Sequence, residues 1–69
     1  MEIEWVKGFE IKAVAIDNEI VISANREGLL SLAKQLTALA EGVSGDHIHY
    51  DKNNSLSEDS AEMIIELIR

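Results

Sequence analysis

Sixty-nine residues without cysteine or proline make one small domain, residues 1–69, that buries only about 60% of its unfolded surface, and they exclude a disulfide framework or a thiolate metal site. A net charge of −7 argues against nucleic acid and anionic membrane as partners, since both are bound through clustered Lys and Arg. It reads first as what keeps so small a protein soluble, and it would also attract a basic protein partner.

The start, Met1-Glu2-Ile3-Glu4, has neither a basic n-region nor a long apolar run, and no stretch reaches the length of a membrane span, so a cytoplasmic location is expected. Ile3 and Trp5 alternate with Glu2 and Glu4, which predicts a short strand or an extended arm over Met1–Lys7, with Gly8 marking a bend. Phe9–Ile16 is rich in apolar and β-branched residues and reads as a strand. Asp17-Asn18 is turn chemistry, because both side chains tolerate left-handed geometry. Glu19–Ala24 (EIVISA) then returns as a second strand, and the two runs predict a hairpin.

A helix is expected over residues 26–41. Leu29, Leu32, Ala33, Leu36, Leu39 and Ala40 recur at three- and four-residue steps, so they predict one apolar stripe facing the core. Asn25 stands at the N-cap position, Glu27 complements the positive end of the helix dipole, and Gly42 is the C-cap candidate. Gly28 costs about 1 kcal/mol against alanine within a helix, yet it lets the helix lie close to whatever is beneath it.

Asp46–Tyr50 (DHIHY) alternates: Ile48 and Tyr50 face one way, His47 and His49 the other, with Asp51 following the histidines. Asp51–Asp59 is a polar loop in which Leu56 is the one apolar anchor. Ser60–Arg69 is ambiguous. Asp59 and Glu62 have capping-box spacing, which favours a helix. Alternation favours a strand with Met63, Ile65 and Leu67 inward and Glu62, Ile64, Glu66 and Ile68 outward. The strand reading supplies DHIHY with a partner. The expected architecture is therefore α+β in two layers: a four-stranded, mainly antiparallel sheet with one helix on one face, in the order ββαββ.

His47-x-His49 places two imidazoles on one face of a strand, within reach of Asp51. Imidazole with carboxylate suits a first-row metal. The pattern is short and the chain has no further histidine, so it reads first as a solvated or interface strand, with pH-sensitive contact or metal binding as alternatives. The serines lie outside any Gly-x-Ser-x-Gly elbow, there is no phosphate-cradling glycine loop, and acidic pairs such as Glu58-Asp59 read as solvated charges. No enzyme activity and no cofactor are expected. Tyr50 reads as core, while Trp5 suits core and contact surface equally. The outward face, with His47, His49, Asp51, Glu62, Ile64, Glu66 and Ile68, and Trp5 beside them, is the candidate protein-binding set; it is more apolar than a solvated face needs.

Ile20–Ala33, Asp46–Asp51, Asn54–Leu56 and Ser60–Glu66 together resemble the immunity protein 32 family of bacterial polymorphic-toxin loci. Where members carry glycine before the serine that opens the last strand, this chain has Asp59. The resemblance implies a final strand rather than a helix. It also implies a non-catalytic antidote that binds and neutralises a cognate toxin, for which a basic, nuclease-like protein is the expected partner. A self-associating structural or regulatory domain, homodimeric through the same face, is the alternative.

Overall fold

The computed structural model of the chain describes residues 3–69. Its elements are β1 (Ile11–Ile16), β2 (Glu19–Ala24), α1 (Arg26–Ala40), β3 (His47–Tyr50) and β4 (Met63–Glu66), so the order is ββαββ and the last segment is a strand. Asp17 and Asn18 both have positive φ, 48° and 69°, as the two-residue turn twisted to match a hairpin requires. The strands it joins pair antiparallel from Ile16 with Glu19 to Ile11 with Ala24. No helix among the described residues is long and apolar enough to cross a membrane.

The start of α1 is fixed by Asn25, whose Oδ1 accepts the Gly28 N–H at 2.8 Å and the Glu10 N–H at 2.9 Å. One side chain thus caps the helix and ties it to the chain leading into β1. Gly28 is buried against that chain: a Cβ there would collide with the Glu10 carbonyl oxygen and press on Ala24 and Ile11. Gly28→Ala should therefore lower the melting temperature, although alanine has the better helix propensity by about 1 kcal/mol. A raised melting temperature on thermal denaturation would show that the helix has room to spare.

At the other end, Gly42 does not take the left-handed C-cap role expected of it, since only Gly8 and Gly45 among the glycines have positive φ. The helix closes on Glu41, whose N–H donates to the Ala38 carbonyl, and Gly42 donates to Leu39. A Cβ at 42 would displace the Asp46 carboxylate, which accepts the Val43 N–H at 3.0 Å.

The four strands do not form one sheet. There are two antiparallel two-stranded sheets, β1–β2 and β3–β4, so the expected four-stranded sheet is incorrect although the fold is α+β. The reason lies in residues 57–61, which run along the free edge of β1. Ser57 N–H donates to the Ile11 carbonyl at 2.9 Å and Ala61 N–H to the Ala13 carbonyl at 2.7 Å. Between those bonds the chain advances four residues against two of β1, because Glu58-Asp59 turns outward under a Ser60-to-Ser57 bond. A detour of that size cannot hold ladder register. Ser60 Oγ fills the gap by accepting the Ala13 N–H at 3.1 Å.

The core joins Ile11 and Ala13 of β1, Leu32 and Leu39 of α1, Ile48 and Tyr50 of β3, and Leu56 as the loop anchor. The helix is rotated from the expected stripe. Its buried positions are Gly28, Ser31, Leu32, Gln35 and Leu39, whereas Leu29, Ala33, Leu36 and Ala40 are exposed. Two polar residues are inside because of what crosses them. Residues 3–6 form an arm outside any strand and Lys7-Gly8 a turn, and the Val6 N–H donates to Ser31 Oγ at 2.8 Å while Gln35 Nε2 donates to the Glu4 carbonyl at 2.7 Å. Met1 and Glu2, at the start of the expected arm, lie outside the described residues. An arm without a ladder needs side-chain partners for its backbone groups. Ser31 and Gln35 are those partners, and every buried side-chain polar atom among the described residues is paired.

Candidate protein-binding face

In β3, Ile48 and Tyr50 turn into the core while His47 and His49 turn out, as alternation dictates. The register sets His47 opposite Glu66 and His49 opposite Ile64, so these four side chains share one outward face. Ile64 is 60% exposed and Ile68, just beyond β4, is 68% exposed. The imidazoles of His47 and His49 lie 4.9 Å apart between ring centres and meet edge to face. His47 Nδ1 is 3.0 Å from the Gly45 carbonyl oxygen.

The far end of β3 and β4 is pinned by a bulge. Gly45 N–H donates to the Leu67 carbonyl at 2.8 Å, and Leu67 N–H donates to the Asp46 carbonyl at 2.9 Å. Two residues thus oppose one, with Gly45 at φ 96°, a conformation that suits glycine at the first bulge position.

Asp51 follows the histidines in sequence, and its side chain organises the loop. One carboxylate oxygen accepts the Asn53 and Asn54 N–H groups, at 2.8 and 3.0 Å, while its carbonyl accepts those of Ser55 and Leu56. The other carboxylate oxygen is left for solvent or a ligand. His49, Asp51, Glu62 and Ile64, with Tyr50 and Met63 at the floor, line a shallow depression of about 420 Å³. Among the described residues no three His, Asp or Glu side chains converge as metal ligands.

Trp5 lies elsewhere. It stacks on Phe9 at 4.4 Å and meets Tyr50 edge-on at 6.3 Å, on the core side from which His49 points away. The outward set is therefore brought together as His47, His49, Ile64 and Glu66 on the paired strands, with Asp51 and Glu62 at the depression and Ile68 just past the bulge, its carbonyl accepting the Ser44 hydroxyl. Tyr50 itself is enclosed, and burial pushes its phenol above the ordinary value.

Further exposed apolar side chains were not expected from the sequence. Ile16, Ile20, Val21 and Ile22 on the hairpin, and Leu29, Leu30 and Leu36 on the helix, are all exposed. The signal available in the sequence was Ile20-Val21-Ile22, an unbroken apolar run where a strand with one solvated face would alternate.

No match is found among curated proteins or among solved structures. The chain does match the family described as Immunity protein 32 over residues 19–68, a span that begins at β2 and takes in the helix and the whole outward face of β3 and β4, with β1 outside it. The chain belongs to the immunity protein 32 family.

Proposed function

We propose that this protein neutralises a cognate toxin by direct, non-catalytic binding, and that the outward face of β3 and β4 makes the contact. Family membership supports the immunity role. The observation that carries the choice of face is the depression beside exposed Ile64, flanked by the carboxylates of Asp51 and Glu62. Carboxylates at the rim of an apolar patch suit an Arg or Lys side chain of a partner, the charge held at the rim and the stem lying on Ile64. Net charge of −7 would accelerate encounter with a basic toxin, and added salt would slow it. A nuclease-like toxin fits this reading, since carboxylates compete for the surface that binds phosphate.

The test is calorimetric titration with the toxin encoded beside this chain's gene. Glu62→Lys combined with Ile64→Lys alters two exposed side chains, so circular dichroism should stay unchanged. Affinity should fall about a hundredfold, the effect of losing about 3 kcal/mol at an interface centre. Unchanged affinity in the double variant would move the contact to another face. Failure of the unaltered protein to bind would reject the immunity reading itself.

A further inference from the structure

We propose that two copies of this chain pair edge to edge through β2, forming a four-stranded β1–β2–β2–β1 sheet across a two-fold axis. In the two-residue hairpin Ile16 and Glu19 close the turn as a mutually bonded pair, so such pairs recur at Val14 with Val21 and Lys12 with Ser23. The residues between them aim their backbone groups away from the partner strand. On β1 these are Ile11, Ala13 and Ala15, and the outward groups of the first two meet residues 57–61. On β2 they are Ile20, Ile22 and Ala24, and among the described residues nothing bonds the backbone of any of the three on that edge.

Such an edge invites another strand unless charge, proline or a bulge blunts it. Here the chain has no proline, and from Ile20 to Asn25 it has no charge. Ile20 and Ile22 stand opposite Ala15 and Ala13, hence on the sheet face that turns to the core. Yet Ile20 is 77% exposed, because the core ends beneath β1. Val21, on the other face, is exposed as well. Apolar side chains on both faces of an open edge suit a strand placed in the middle of a larger sheet.

The edge is also complementary to itself. A two-fold axis at Ile22 sets Ile22 against its own copy and Ile20 against Ala24 of the second chain, which are the residues with outward backbone groups. Glu19 then faces Asn25, so no like charges meet. For two molecules of net charge −7, an uncharged strand is where close approach costs least. This contact uses a different strand from the β3–β4 face, although Ile20 lies beside Glu62 and Met63 around a small cavity, and it stands whether or not that face binds a toxin.

Sedimentation equilibrium should give twice the chain mass of 7.6 kDa across the micromolar range. Ile22→Lys should return the monomer with an unchanged circular dichroism spectrum, whereas Ile64→Lys should leave the dimer intact. Because the chain has no cysteine, Ile22→Cys gives a second readout: mild oxidation should yield a covalent dimer, and Val43→Cys, exposed elsewhere, should not. A monomer at all concentrations, a monomer that captures a strand of some other protein, or a dimer indifferent to Ile22→Lys would each overturn the proposal.

Discussion

Truncating Tyr50 to alanine should leave the chain unfolded at room temperature, read as loss of the cooperative thermal transition. Tyr50 is fully buried, at 0% exposure, and its hydroxyl donates to Gln35 Oε1 at 2.7 Å. Gln35 in turn holds the Glu4 carbonyl, and Trp5 of the same arm packs edge-on against the phenol ring. Removing a buried aromatic side chain costs about 3–5 kcal/mol, and stranding the Gln35 carbonyl adds about 1–3 kcal/mol. A chain of this length has only about 3–10 kcal/mol in total. A Tyr50→Ala protein that still melts cooperatively near the parental temperature would show that the arm and the helix do not depend on this ring.

The same residue predicts a pH limit. Burial raises the Tyr50 phenol above its ordinary value of 10.0. The neutral phenol is thus favoured in the folded chain, and the unfolded chain loses its proton first. This contribution to stability is fully present below the ordinary value and is lost as pH rises through the raised one. Tyr50 is the only tyrosine, so phenolate absorbance reports it alone and should appear together with unfolding. In Tyr50→Phe the alkaline loss should disappear, at a constant cost of about 1–3 kcal/mol for the unpaired Gln35 carbonyl.

What was legible in the sequence was local. Asp17-Asn18 fixed the first hairpin because both residues accept positive φ, and Asn25 fixed the helix start through a bond three residues away. The alternation of Asp46–Tyr50 gave the inward and outward faces of β3 correctly, since period two needs no knowledge of the partner. What was not legible depends on distant chain. Ser31 and Gln35 look like solvent-facing residues until the arm, 25 and 31 positions away, brings backbone groups to them. The sheet divides because residues 57–61 meet β1 through two widely spaced backbone bonds and the Ser60 hydroxyl. No periodicity within either segment records that detour. For the candidate site, alternation set the outward places of His47 and His49, whereas those of Ile64 and Glu66 followed only once Ser60–Arg69 was read as a strand, which the pattern left open against a helix; their pairing is set by the register. The placement of Trp5 away from that face came from its stacking on Phe9.

Leu32 and Leu36 occupy equivalent places in the apolar pattern of α1, and the fold separates them. Leu32 is 8% exposed, whereas Leu36 is 41% exposed, because the helix turns the Gly28–Ser31–Gln35 side towards the arm and β1. Leu32→Ala should therefore cost about 2–5 kcal/mol, a loss the core cannot recover by closing around a rigid helix. Against the few kcal/mol available to so short a chain, that is enough to unfold much of the population. Leu36→Ala removes side chain already in contact with water and exchanges leucine for the better helix former, so it should change stability by less than about 1 kcal/mol. Urea denaturation followed by circular dichroism measures both on one scale. Equal, large losses would return Leu36 to the core and restore the stripe that periodicity suggested. A large loss at Leu32 alone would establish the rotated face, and with it an apolar row on the outside of α1 that the folded chain leaves uncovered.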